Sequence, residues 1–347
     1  MKCTIQDIAR ETELSRNTVS KALRDSPEVS KKTKNKVIAK ANELGYFDIS
    51  KINQKQNNNS NGSILFLTTN HAKNSEFWTT VLSGIEDVLY QNNYQITMSL
   101  MTVNDLIHGN LPTTIHNSDI KGVIVVEICY QAVWRSLLKL NKPIITVDAP
   151  KDYSNLIGKC DIVMMENKIN IISICQKLFE TGLRDFAFIG DLYSENTGLG
   201  FLERYQAVKQ FLKTNELKLN QTASITHNSN NLFENFEILK QQLSKIKKMP
   251  DVFICGNDWA AIQLIYGLQS LDYQIPKDIN IVGFDNISLS EKIQPTLSTI
   301  DTPKEYLGIV AARRIIEKIN KPETPCGIMT FSTKLILRET TDINVNK

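Results

Sequence analysis

Histidine is scarce in this chain of 347 residues: His71, His108, His116 and His227 stand apart in polar segments, too dispersed to suggest a metal site or a proton relay. The six cysteines (Cys3, Cys129, Cys160, Cys175, Cys255 and Cys326) show no CxxC and no ligand-like clustering. Several fall inside apolar strand or helix patterns, which reads as buried thiols in a reducing compartment. Apolar runs never approach the roughly 18 residues a membrane helix needs. The N-terminal stretch is polar and turns helical too early for a signal peptide, so a cytoplasmic location is expected. GxSxG, P-loop and HExxH motifs are missing. GLGFLE, residues 198–203, follows a loop rather than a strand, so it is not a dinucleotide fingerprint. Neither a cofactor nor a metal is expected.

Charge is unevenly placed. Residues 1–55 hold 12 Lys+Arg against 7 Asp+Glu, a balance of +5, while the remainder holds 28 against 30, a balance of −2, within a total of +3. The near-neutral whole therefore conceals a basic N-terminal end on a slightly acidic body, the pattern expected when one end meets phosphates. An apolar share of 41% is enough for a sizeable core, and the length suggests two or three domains.

The basic end reads as three short amphipathic helices. Thr4 precedes Ile5, Ile8 and Ala9 on one helical face, with Asp7 three residues on, as in a capping box. Ser15 caps a second segment carrying Val19 and Leu23 at i,i+4. Ser30 caps a third, with Val37, Ala41 and Leu44 on one stripe and Gly45 at the stop. The second helix leaves Arg16, Asn17 and Lys21 off the buried face. Arg and Lys suit guanine, and Asn suits adenine, in the major groove.

These words, TIQDIA, SRNTVSK and ELGY, resemble the headpiece of the LacI/GalR family of bacterial transcription repressors, with its TxxDVA opening, S-x-x-TVS-[RK] recognition helix and ELGY end. The resemblance implies a helix-turn-helix headpiece over 1–46 that contacts double-stranded operator DNA through Thr4, Ser15, Arg16, Asn17, Thr18, Ser20, Lys21, Ser30 and Tyr46. Glu13 stands where the family commonly has Gly. If the backbone there has positive φ, a side chain costs about 1 kcal/mol.

Residues 47–62, FDISKINQKQNNNSNG, form a polar linker that can bury little. In the resembled family this region becomes a hinge helix whose leucine wedges into the minor groove. Against the family pattern YxPNxxARxL, only Tyr46 matches; Asp48, Ile49, Ile52, Asn53 and Lys55 replace Pro, Asn, Ala, Arg and Leu. Two readings stay open: a degenerate hinge, or a wedge moved to Ile52.

From residue 63 strand-like runs (SILFLTT, GVIVVEI, PIITVDAP, FAFIGD, PDVFICGND, INIVGFDN) alternate with helical periodicity through Asn286, which predicts parallel sheets with ligands at the carboxyl ends of strands. The body, too, resembles the family's core, a type I periplasmic-binding-protein-like α/β fold of two doubly wound parallel-sheet lobes. By that analogy the effector-binding and dimerisation core covers 63–347. Its N-lobe takes about 63–160 and 291–321, and its C-lobe about 161–290 and 322–347. Family ligand positions hold Thr69, Asn70, Phe77, Trp78, Asp148, Phe201, Asn257, Asp258 and Asp285. The carboxylates and amides suit paired hydrogen bonds to hydroxyls and the aromatics suit a sugar ring. The bland alternative for each Asp is a helix cap or turn. Phe201 replaces a family arginine, which implies loss of a fixed cation and a less polar effector, a different metabolite, or none. Arg204 lies one turn on, and Trp259 is expected in the core more than on a wall.

The resemblance thus implies a nucleoid-associated homodimeric repressor of carbohydrate or related metabolic genes, controlled by a small-molecule effector such as a sugar, and not an enzyme. The alternatives are a small-molecule receptor whose headpiece binds a protein partner, or a ligand-independent repressor. Because the wedge position holds Lys55, operator bending is expected to be weak. Replacing Lys55 by Leu is expected to tighten operator binding and increase the bend measured by gel phasing, since an apolar side chain can sit between unstacked bases and an ammonium prefers phosphate.

Overall fold

The computed structural model describes residues 5–23, 29–43, 60–69, 75–193, 197–228, 232–233 and 235–343. The chain divides into a unit up to Ser60 and a unit from Asn61 onward. No helix among the described residues is long and apolar enough to cross a membrane.

The first unit contains α1 (Ile5–Thr12), α2 (Arg16–Leu23) and α3 (Lys31–Glu43). Ile8, Ala9, Val19, Ala22, Val29 and Val37 are buried together and Leu14 packs on them. Ile8, Ala9, Val19 and Val37 are apolar positions of the expected helical pattern, and Ala22 and Val29 join them; the side chains of Ile5, Leu23, Ala41 and Leu44 lie outside those described. The turn from α1 to α2 runs through Glu13 at φ 56°, and Leu14 N–H closes it by donating to the Ala9 carbonyl at 3.0 Å. Glu13 therefore does occupy the left-handed position where the family commonly has Gly. Thr12 reinforces the turn, its hydroxyl donating to the Ile8 carbonyl at 2.6 Å while Lys36 donates to the Thr12 carbonyl at 3.0 Å.

The second unit begins with β1 (Ser63–Thr69), α4 (Glu76–Gln91), β2 (Gln95–Met101), α5 (Val103–His108), β3 (Ile120–Val126), α6 (Gln131–Leu137), β4 (Ile144–Val147) and β5 (Asp161–Met165). A second set follows: α7 (Ile169–Glu180), β6 (Phe186–Ile189), α8 (Leu199–Thr214), α9 (Phe236–Leu243), β7 (Val252–Cys255), α10 (Asp258–Gln269) and β8 (Asn280–Val282). The chain ends in β9 (Thr299–Asp301), α11 (Lys304–Asn320), β10 (Ile328–Phe331) and β11 (Lys334–Ile336).

One parallel sheet has the order β10-β5-β4-β3-β1-β2 and a second the order β6-β7-β8. The central strands are apolar on both faces because helices cover both, and β4, β5, β6 and β7 are buried throughout. Together these sheets make the two lobes.

The lobe boundaries differ from the expected ones. β5 and β10 belong to the first sheet, with Ile145 opposite Asp161 and Ile328 opposite Ile162, rather than to the C-lobe. Ile293 and Leu297 pack with the second lobe's core, so that segment is not yet N-lobe. The chain passes between lobes after Met165, around β9, and after Phe331. The reason is edge completion: an apolar strand gains a full hydrogen-bond ladder by extending the existing parallel sheet, wherever periodicity places the lobe boundary. The periodicity reading also named no element beyond Asn286, yet α11 forms the closest helix contact of the N-lobe.

That contact is α4 on α11. A Cβ at Gly84 would collide with the Glu305 carbonyl oxygen, and one at Gly308 with the Val81 carbonyl oxygen. The two helix backbones touch because both contact points are glycine. Gly308→Ala is therefore expected to force them apart and to destabilise the core by about 1–3 kcal/mol, read as a lower midpoint in urea unfolding with an unchanged slope.

Candidate functional site

In the first unit, α2 carries the candidate nucleic-acid face. Ser15 caps it: its hydroxyl oxygen accepts from Thr18 N–H at 3.0 Å and lies 2.8 Å from the Thr18 hydroxyl. Arg16, Asn17 and Lys21 are exposed, whereas Thr18 and Ser20 are half-buried. The helix has no acidic residue in its first turn and Lys21 in its last, so its outer face is uniformly basic or neutral. Ser30 caps α3 in the same manner, accepting from Thr33 N–H at 3.2 Å. Thr4, Tyr46, Ile52, Lys55 and Asn70 lie outside the described residues.

In the second unit, a cavity of about 420 Å³ opens at the carboxyl ends of the strands between the two lobes. Thr69, Phe77, Trp78, Asp148, Phe201, Asn257 and Asp285 line it. Phe77 and Trp78 form an edge-to-face pair with centroids 4.6 Å apart. Thr69 donates from its hydroxyl to Glu127 at 3.0 Å. Phe201 lies over the ends of β6 and β7; a Cβ at Gly256 would come within 2.5 Å of its ring, so the slot exists because both strands end in glycine, at Gly190 and Gly256. Asn257 caps α10 through its side-chain oxygen, which accepts from Ala260 N–H at 2.9 Å. The bland and the functional readings thus hold at once for Asn257, since it also faces the cavity.

Asp258 is brought elsewhere. It is fully buried and is not among the lining residues. Its carboxylate accepts from Thr299 Oγ1 at 2.5 Å, Ser290 Oγ at 2.7 Å and Ile287 N–H at 3.0 Å. Ile287 and Ser290 belong to the segment linking β8 to β9, and Thr299 opens β9. Asp258 is a structural tie, because its oxygens are occupied by donors the tertiary fold supplies.

Two residues were misjudged from sequence. Trp259 is 45% exposed and forms part of the cavity wall rather than the core. Arg204 is 4% exposed and also lines the cavity. Its Nε donates to Asn167 Oδ1 at 3.0 Å, Nη1 to the Gly256 carbonyl at 2.5 Å, and the guanidinium stacks 3.5 Å from the Phe284 centroid. A fixed cation is therefore not lost with Phe201; it enters from the same helix one turn later. The available signal was spacing, since i and i+3 share a helix face. Its hydrogen-bond partners, Asn167 and the Gly256 carbonyl, follow β5 and β7, which the sequence does not place beside it.

The cavity's carboxyls are electrostatically stressed. Burial pushes Asp148 up to about 6, against the Ala149 N–H bond and the nearby Arg204. Burial likewise pushes Asp285 up to about 7, with Arg204 opposing. Burial also raises Asp258, against its hydrogen bonds from Thr299, Ser290 and Ile287, and lowers Arg204 from its ordinary value, with Asp285 and Asp148 opposing. Asp148 and Asp285 are in left-handed backbone, at φ 66° and 112°. Both remain half-buried as residues because one side of each faces the cavity.

The lobes also touch directly around the cavity. Leu199 N–H donates to the Ala149 carbonyl at 2.8 Å, and Lys151 to the Leu192 carbonyl at 2.6 Å. On the other side Ser288 donates from its N–H and hydroxyl to Glu76 at 2.6 and 2.7 Å.

A pH dependence follows. Between the ordinary Asp value and the raised native values, the folded core holds protons that the unfolded chain has released, so stability falls as pH rises through about 4 to 7. Asp285→Asn is expected to flatten that slope and to raise stability near neutral pH by about 1–3 kcal/mol, after allowance for water in the cavity, in urea unfolding followed across pH.

Comparison with known proteins places these features in one family. Residues 4–47 match the sequence model for bacterial regulatory proteins of the lacI family, and residues 175–341 match that for the periplasmic binding protein-like domain. The catabolite control protein A of Priestia megaterium is 24% identical over 346 residues, spanning 98% of this chain and 100% of that protein. The structure of the transcriptional regulator CelR in complex with cellobiose aligns with a TM-score of 0.71 at 19% identity, over 98% of this chain and 100% of that one. The lac repressor dimer bound to operator and the anti-inducer ONPF aligns with a TM-score of 0.65 at 20% identity, over 98% and 99%. With the headpiece and core models matched in order and full-length relatives spanning both, the chain belongs to the LacI/GalR family of bacterial transcriptional regulators.

Proposed function

We propose that this regulator is a cytoplasmic, nucleoid-associated homodimer that represses carbohydrate or related metabolic genes and is released from, or recruited to, its operator by a small molecule in the interlobe cavity. The observation that carries the reading is α2: a Ser-capped helix with Arg16, Asn17 and Lys21 exposed together on a compact three-helix unit. One such unit covers only a half-site, so two copies on a pseudo-palindrome are required for specific affinity. Residues 1–46 serve as the DNA-reading headpiece, 47–62 as the hinge and 63–347 as the effector-binding and dimerisation core. Tyr46 at the end of the headpiece and Ile52 and Lys55 in the hinge meet the DNA, and Thr4, Ser15, Thr18, Ser20 and Ser30 support backbone contacts.

The effector is read by Asp148, Asn257 and Asp285 at strand ends, with Thr69 and Asn70 beside them and Phe77, Trp78 and Phe201 as apolar walls. The carboxyls serve binding rather than catalysis. Asp148 and Asp285 supply acceptors to a ligand's donors, and α8 brings Phe201 and Arg204 to the same cavity. Because the chain passes between lobes three times, a ligand seated there changes the lobe angle, and effector and DNA affinities become reciprocally coupled.

A mobility-shift assay on duplexes selected from random DNA tests the reading. Binding is expected as a dimer to a two-fold symmetric site, weakening steeply with salt as counterions return to the phosphates. Arg16→Ala is expected to lose about 1–3 kcal/mol and to relax one base position in each half-site. No salt-dependent shift with any duplex would favour a receptor whose headpiece binds a protein instead.

A further inference from the structure

The cavity's charge does not match a neutral ligand. Among the described residues its charged lining is Glu127, Asp148, Asp191 and Asp285 against Arg204 alone. The arginine lines the cavity but is largely engaged by the protein. Nε and Nη1 are engaged by Asn167 and the Gly256 carbonyl, Nη2 points to Met165 Sδ at 3.7 Å, and one face of the guanidinium is covered by Phe284. Nε and one N–H each of Nη1 and Nη2 are thereby engaged, which leaves a ligand only part of the planar fork that clamps a phosphate or carboxylate.

The two carboxyls are differently placed. Asp148 uses Oδ1 to accept from Ala149 N–H at 2.7 Å. Asp285 accepts only through its backbone carbonyl, from Thr302 and Lys304, and its carboxyl receives no hydrogen bond from the described residues. A buried carboxyl without donors is disfavoured as an anion; for Asp285 the nearby Arg204 and Lys304 offset burial only in part, so a further cation favours the charged form. Trp78, Phe201 and Trp259 line the same cavity, and aromatic rings attract cations through the ring quadrupole, as the Arg204 guanidinium 5.6 Å from the Phe201 centroid already shows.

We propose that the cleft ligand is an aminated polyol, an amino sugar or a close relative, whose ammonium lies between Asp148 and Asp285 against the aromatic wall. This rests on the reading of the cleft as the effector site. An ammonium offers three donors and a full positive charge, which satisfies both carboxyls where a hydroxyl satisfies one acceptor and leaves the charge uncompensated. Phosphorylated and acidic sugars are excluded by the same field.

Binding is accordingly linked to protons. The charged groups facing Asp285 are Arg204, Asp258, Lys304 and Asp148, and those facing Asp148 are Arg204, Glu203 and Glu127. With native values near 7 and 6, the two carboxyls hold protons in mildly acid solution and must release them to pair with the ammonium. Affinity for an amine therefore rises with pH across that range.

Calorimetric titration of the full-length protein with matched sets tests this: glucose, its 2-amino and 6-amino deoxy derivatives and glucose 6-phosphate, and the same set built on galactose. At least one aminated member is expected to bind about 10-fold or more tighter than its parent, to weaken about 10-fold from about pH 7.5 to about pH 5.5, and to lose most of its affinity in both Asp285→Asn and Asp148→Asn. A parent or phosphorylated sugar that binds as well as or better than its aminated partner, in a manner both variants abolish, overturns the amine proposal and leaves the cleft as the effector site. Binding that neither variant alters places the ligand elsewhere and overturns the cleft reading itself. Silence from every aminated member at millimolar concentration overturns the proposal.

Discussion

The carboxylate of Asp258 holds the interlobe crossing together. It sits at the first turn of α10, where backbone N–H groups and the helix dipole favour a negative charge. Three donors converge on it: Ile287 N–H and the Ser290 hydroxyl from the segment after β8, and the Thr299 hydroxyl from the start of β9. Its own N–H donates to the Phe284 carbonyl at 2.8 Å. A buried carboxylate is tolerable only when so satisfied, and a satisfied one fixes every group that satisfies it. Gly283 is part of the same constraint, because a Cβ there would collide with Asp258 Oδ1. The consequence is the position of Asp285. Between Phe284 and the anchored segment, it is held in a left-handed conformation, and its carbonyl receives Lys304.

Function then depends on what this tie leaves over. Asp258 uses its charge on the fold, while Asp148 and Asp285 face the cavity with far fewer partners. Arg204 is positioned between those demands. Its hydrogen bonds go to Asn167 and Gly256, one on the segment leaving β5 and one at the end of β7. It therefore joins the two lobes' strand ends at the floor of the cavity, and its charge moderates both carboxyls without pairing with either at hydrogen-bond distance. Around the rim the contacts are small and polar, Glu76 with Ser288 and Lys151 with the Leu192 carbonyl. Hydrogen bonds of this kind contribute about 0.5–1.5 kcal/mol each, more with a charged partner, so the lobes can part and rejoin at modest energy. The backbone-to-backbone packing of α4 on α11 within the N-lobe has no such freedom. Rigid lobes with a lightly held rim are what a ligand-sensitive lobe angle requires.

Much of this was legible in the chain. The headpiece helices stand where caps and apolar spacing put them, with Ser15 and Ser30 acting as caps, and even the positive φ at Glu13 follows from a family word with one substitution. The strands and helices named between residue 63 and Asn286 are present because helix and strand periods are local properties, whereas α5, β5 and α9 went unnamed. Asp148, Asn257 and Asp285 were reached through the family resemblance, and they line the cavity in keeping with a doubly wound sheet that opens at its carboxyl edge.

What the sequence determined by itself was the class of the protein: period, capping and charge placement are written in neighbouring residues, and neighbours decide them. Only the tertiary structure decided which carboxylate serves the fold and which serves the cavity. Asp258 and Asp285 look alike in sequence, each following a strand, yet Ser290 and Thr299 reach one and not the other. The same holds for Arg204, whose burial follows from residues 37 and 52 positions away in the chain. It holds for Trp259, exposed because α10 turns it toward the opening, and for β5 and β10, whose lobe was set by the sheet edge they could complete. Hydrogen-bond satisfaction and burial are sums over space, so residues distant in the chain settle them.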